Sequence, residues 1–202
     1  MSLTVELLIL GKVKKARKGT LFFNENFITT GNADTVRKAL ERLVKAGELM
    51  RIANGIYVRP EIDPVIGAVT PGIDEIAKAI AQRDKARIVP TGVYALNRLG
   101  LSTQVPLNVV YLTDGAARRI RIGKRAITFK KTTPKNLTAI GEISKLVIQA
   151  LRAIGKANVS PDEIEKIQML LKKEKATHLK HDYLLAPEWI RRIIHPVLKQ
   201  VP

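Results

Sequence analysis

The chain contains no cysteine. Disulfide scaffolds, thiolate metal sites and a cysteine nucleophile are therefore excluded. Aromatic residues make up only 4% of its 202 positions, which argues against a sheet that reads single-stranded bases by stacking. No apolar run approaches the ~18 residues that a membrane-spanning helix needs. The opening "MSLTVELLILGKVKK" does not read as a signal peptide: Glu6 interrupts its short apolar run, and positive charge follows that run rather than preceding it. A phosphate loop is missing too, because "GKVKKARKGT" has the lysines without the GxxxxGK(S/T) order. Neither HExxH nor GxSxG occurs, and the few carboxylates form no nuclease-like cluster with a lysine. These absences lead us to expect a soluble cytoplasmic protein that is not an enzyme, holds no metal and uses no cofactor.

Three histidines are present. His178, His181 and Asp182, in "HLKHD", would share a neighbourhood if that segment is helical. A metal site needs a third or fourth ligand and outer-shell support, which the segment does not offer. Local hydrogen bonding or helix capping is the expected use. His195 precedes Pro196 near an expected helix end, where cationic character is favourable.

What the chain has in excess is positive charge. Thirty-five Lys and Arg against 18 Asp and Glu give a net charge of +17 and a pI of about 10.3. Charge of that size speaks of partners rather than fold: nucleic acid, an anionic membrane surface or an acidic protein. Here the cations are scattered rather than blocked, which favours nucleic acid. Hydrophobic residues at 46% supply a packed core, in one large domain or two small ones.

Periodicity sets out the elements. Val5, Leu8, Ile9 and Val13 fit a helix over 4–16, and "TLFF" is β-prone. "NENFI" suits one or two helical turns capped by Asn24. Asn32 caps a helix from Ala33 to Ala46 that Gly47 stops. "ELMRIA" and "IYVRP" flank Asn54-Gly55, a strong hairpin signal. "EIDPVIGAVTPG" reads as a linker or loop. Helix follows over 73–83, then a short strand turning at Pro90, a helix over 91–99 and a strand at "NVVYLTD". "RRIRIGKRAITFKK" reads as a hairpin around Gly123. Further helices are expected over 138–154, 161–175 and 187–199; Ser160-Pro161-Asp162-Glu163 marks the start of the second of these.

Short helices followed by a two-stranded ribbon, all within residues 1–60, follow the order of a winged helix-turn-helix. In that motif the second helix enters the major groove and the ribbon meets neighbouring phosphates or the minor groove. The candidate DNA contacts are Asn32, Thr35, Arg37, Lys38, Arg42 and Lys45 on the helix, with Arg51, Asn54 and Arg59 on the wing. Lys12, Lys14, Lys15, Arg17 and Lys18 form a second basic cluster nearby in sequence. The same pattern also packs a helix on a hairpin in modules that bind only protein, and Asp34 and Glu41 on the presumed DNA face count against phosphate contact.

"VRKALERLVKAGELMRIANGIYVRP" resembles the N-terminal domain of AbiEi-type transcriptional regulators, the antitoxins of type IV toxin–antitoxin systems. "PTGVYALNRLGLSTQVPLNVVYLTDGAARRIRIGKRAITFKKT" is similar to the start of their second domain. Together the two stretches cover roughly residues 1–135. The resemblance implies an N-terminal domain that binds repeats in its own promoter and represses it. It also implies a second domain that opposes a nucleotidyltransferase toxin indirectly, without a tight complex. The expected fold is α+β: a winged helix-turn-helix over 1–60, a linker over 61–71 and a mixed α+β domain over 72–202 with a helical C-terminal part. The expected partners are promoter repeats in double-stranded DNA and, by indirect antagonism, the toxin, with no membrane, the chain being a monomer or homodimer.

Residues 116–135 carry eight cations and no acid: Arg118, Arg119, Arg121, Lys124, Arg125, Lys130, Lys131 and Lys135. Alternation along a strand points Arg119 and Arg121 one way and Ile120 and Ile122 toward the core. Such a face is either a charged edge that discourages strand aggregation or a nucleic-acid surface. Two rivals to the regulator stand beside it: a basic RNA- or ribosome-associated protein, and a protein-interaction module that binds no nucleic acid.

Overall fold

The first helix shows how the N-terminal unit is put together. In the computed structural model, which describes residues 4–65 and 67–200, α1 runs over Val5–Lys15 and buries Ile9 and Val13, four residues apart on one face. A strand, β1 (Leu21–Phe23), leads into a 3-10 turn over Asn24–Phe27, and α2 follows over Ala33–Lys45. Asn24 does not cap that turn: it lies inside it, and the Asn26 Oδ1 accepts the Phe23 N–H at 2.7 Å instead. Strands β2 (Met50–Ala53) and β3 (Ile56–Val58) then form the wing. The sheet order is β1-β3-β2, all antiparallel. Its core joins Ile9, Val13, Phe22, Phe27, Leu40 and Leu43, with the Phe22 and Phe27 rings stacked at 5.7 Å. Each fully buried leucine here contributes about 1.5–3 kcal/mol. This is a winged helix-turn-helix built on α1, the 3-10 turn and α2.

At the wing tip Gly55 has φ 68°, whereas Asn54 keeps a negative φ, and a register shift between Arg51 and Ala53 absorbs the difference. The positive φ is what favours glycine here; a Cβ would in addition sit 3.1 Å from the Asn24 Nδ2, a tight contact that this exposed side chain would have to give way to. Residues 61–71, expected as a linker, instead pair as a ribbon of β4 (Glu61–Asp63) and β5 (Gly67–Val69). Next comes α3 (Ile73–Arg83), at its expected bounds.

The chain divides into two compact units: Met1–Ala79 with Arg121–Gly123, and Ile80–Ile120 with Lys124–Pro202. A four-stranded sheet follows, of order β6-β7-β9-β8, from Ile88–Pro90, Asn108–Thr113, Arg125–Lys131 and Arg118–Ile122. β6 runs antiparallel to β7 and β9 parallel to it. Pro90 belongs to the strand, pairing with Tyr111, rather than turning the chain. A short helix, α4 (Val93–Arg98), sets Tyr94 edge-on against Tyr111 at 6.0 Å.

The C-terminal part is helical, as expected, but has four helices where three were read. They are α5 (Ser144–Ile154), α6 (Pro161–Leu171), α7 (Ala176–Leu185) and α8 (Glu188–Leu198). Val147, Leu151, Ile167, Leu171, Leu179, Ile190 and Ile194 close a common core. The chain is α+β throughout, and among the described residues no helix is long and apolar enough to cross a membrane.

Candidate nucleic-acid interface

α2 buries Val36, Ala39, Leu40 and Leu43, and this stripe fixes what the opposite face presents. Asn32 caps the helix: its Oδ1 accepts the Thr35 N–H at 2.9 Å and the Thr35 hydroxyl at 2.7 Å. Charge on the exposed side is sorted. On one flank Arg37 is held between Asp34 at 3.5 Å and Glu41 at 3.2 Å. On the other lie Lys38, Arg42 and Lys45, all exposed. Arg42 is paired to Glu6 of α1 at 2.6 Å, and Lys38 and Lys45 extend into solvent. The acids that weighed against phosphate contact, Asp34 and Glu41, are both paired with Arg37, and each also lies one helical turn from Lys38.

The wing cations do different work. Arg51 donates to the Asn54 Oδ1 at 2.7 Å, bracing the tip. Burial pushes the Tyr57 phenol upward, with the nearby Arg51 pulling the other way. Arg59, expected at a phosphate, is half-buried and donates from Nη1 to the Lys14 carbonyl at 2.9 Å and to the Ala16 carbonyl. Those carbonyls end α1, so Arg59 ties the wing to that helix. In the neighbouring basic cluster Lys12 donates to the Asn26 carbonyl at 2.6 Å and Lys14 pairs with Glu48 at 3.1 Å. Lys15, Arg17 and Lys18 are exposed. A groove of about 540 Å³ lies beside the start of α2, lined by Ile28, Val36, Glu25, Asp34 and Arg37 among others.

The hairpin cations separate by face. Arg118 is turned inward: it donates to Asp84 and stacks 5.7 Å over the Phe129 ring. It is therefore not part of the outward basic surface expected for it. Arg119 and Arg121 are exposed, and Ile120 and Ile122 are half-buried between them. Lys124, Lys130 and Lys131 are exposed. Arg125 is half-buried near Tyr94 and Tyr111, with its Nε enclosed and lacking a hydrogen-bond partner. Burial pushes the phenols of both tyrosines upward.

"HLKHD" is helical and forms part of α7. Asp182 is fully buried and accepts the Ile140 and Gly141 N–H groups, each at 2.9 Å, and the Ser144 hydroxyl at 2.5 Å. Glu174 accepts the Ile143 and Ser144 N–H groups at 2.7 and 3.1 Å. The two carboxylates thus cap α5 from a distance in sequence, and His181 Nδ1 lies 2.8 Å from Asp182. Sequence reasoning missed three acidic partners: Glu6 for Arg42, Asp84 for Arg118 and Glu174 for the α5 cap. Each contact spans 30 or more positions, and no local pattern signals it.

Among solved structures, the crystal structure of the RV2827C protein from Mycobacterium tuberculosis aligns with a TM-score of 0.48 at 13% identity, covering 100% of this chain and 83% of that one. No curated protein matches the chain. The model of a family of unknown function, DUF6088, matches residues 8–179, and the chain belongs to that family.

Proposed function

We propose that the chain is a DNA-binding transcriptional regulator of the cytoplasm that represses its own promoter. We further propose that it serves as the antitoxin of a type IV toxin–antitoxin system, opposing a nucleotidyltransferase toxin indirectly. One observation carries the DNA-binding part: the exposed flank of Lys38, Arg42 and Lys45 on α2, directly before a two-stranded wing. In this motif that helix enters the major groove, where a lysine meets guanine O6 and N7. A net charge of +17 supports it by favouring phosphate contact. The antitoxin part rests on the resemblance of residues 36–60 and 90–132 to AbiEi-type regulators. Gel shifts against the native upstream DNA and a random duplex test the first part, and a nucleotidyltransferase gene next door tests the second. Equal affinity for both duplexes overturns the operator reading.

A protein-interaction role is the second reading. It is favoured by the groove beside α2, where Ile28 is 71% exposed. Ile28→Ser leaves operator affinity intact under the DNA reading.

A further inference from the structure

We propose that the outward face of the β8–β9 hairpin is a second, sequence-independent surface for the phosphodiester backbone of duplex DNA. This rests on the DNA-binding reading above and adds a site to it. Arg118 packs on the Phe129 ring, so those two residues share the inner face. Side chains alternate along strands, which places Arg119 with Thr128 and Lys130 on the outer one. The Thr128 hydroxyl donates to the Asn108 Oδ1 at 2.8 Å on the neighbouring strand β7, so this face carries polar groups on both strands. Arg119 and Lys130 are exposed and have no acidic neighbour in sequence. The flanking acids are committed elsewhere: Asp114 to Arg87 at 2.8 Å and Glu142 to Lys145 at 2.6 Å.

A solvated protein surface normally intersperses both signs, and an edge strand needs only a charge or two to stay unpaired. Of the eight cations over residues 116–135, Arg118 is paired with Asp84 and Arg125 is half-buried; the six that remain exposed, with no acid in the segment, still exceed that need, and an anion would offset their mutual repulsion. The winged helix is different, since Arg37, Arg42 and Lys14 there are already paired with acids. The occupant is a duplex rather than splayed bases. The outer face holds Arg119, Thr128 and Lys130, with Asn108, Val110 and Leu112 beside them on β7; none is aromatic, so it offers no stacking platform. Cations without base-reading geometry contact phosphates and carry no sequence information.

The test uses the full chain and a random-sequence DNA duplex. Arg119→Ala combined with Lys130→Ala should flatten the dependence of log K on log salt by about 1.8, two contacts at about 0.9 each. Lys166→Ala combined with Lys180→Ala removes the same charge from exposed helical positions and should leave the slope unchanged. A parental slope in the sheet variant overturns the proposal, as does equal flattening in the control. Tighter binding of a duplex RNA of the same length overturns the assignment to DNA. The operator reading fails separately: Lys38→Ala would then leave the operator-to-random ratio at its parental value, whatever the sheet variant does.

Discussion

Lys38 and Arg59 were both candidate DNA contacts, and their surroundings divide them. Lys38 projects from the N-terminal half of α2, opposite Val36 and Leu40, and is exposed. Lys38→Ala should lower operator affinity by about 1–3 kcal/mol while leaving random-duplex binding much less changed, as competition gel shifts would read. Arg59→Ala has the opposite signature. It frees two carbonyls at the end of α1 and should cost about 1.5–3 kcal/mol of stability in a denaturant melt, with little change in salt slope. Asp182→Ala should be more severe, since it strands the buried Gly141 N–H, the part-buried Ile140 N–H and a buried hydroxyl. About 3 kcal/mol or more is expected, read as a lower urea midpoint at unchanged m.

Elements written in local signals were legible. Asn32 as the cap of α2, the Ser160–Glu163 box of α6 and the bounds of α3 all follow from residues within a few positions of one another. Elements that depend on distant partners were not. The β4–β5 ribbon looked like a linker because Pro64 and Gly67 dominate a segment whose strands are only three residues each. α7 went unread because "ATHLKHDYLL" lacks an apolar stripe: Leu179 is buried while Leu184 is 72% exposed. α5 starts at Ser144 rather than 138, because Glu174 and Asp182 hold the N–H groups of residues 140–144 in a cap. The candidate site was legible as a face but not as contacts; Arg37, Arg42 and Arg59 look alike in sequence and have three different partners. In the second unit, Asp114 closes the end of β7 onto Arg87, whose side-chain hydrogen bond is the main cause holding the Asp114 carboxyl below its ordinary range. A lowered carboxyl pKa adds stability above the unfolded value, about 3.9, and loses it as pH falls through the folded value. Asp114→Asn should therefore lower the melting temperature at neutral pH, with the gap to the parent closing in acid.

For the molecule as a whole, net charge makes affinity a function of ionic strength. Total binding to duplex DNA should fall between 50 and 200 mM salt with a log–log slope of about −0.9 per phosphate contact. Binding indifferent to salt over that range would remove the electrostatic basis of both proposed surfaces. The cap of α5 has another kind of consequence, one of timing. Ser144 waits for Asp182, 38 positions later. At a synthesis rate of about 5–20 residues per second, that is a delay of about 2–8 s. Over that interval the amides at the start of α5 lack the carboxylates that cap them, while the N-terminal winged helix already has every residue it needs. A nascent chain can thus complete its winged-helix unit before its C-terminal helices have locked.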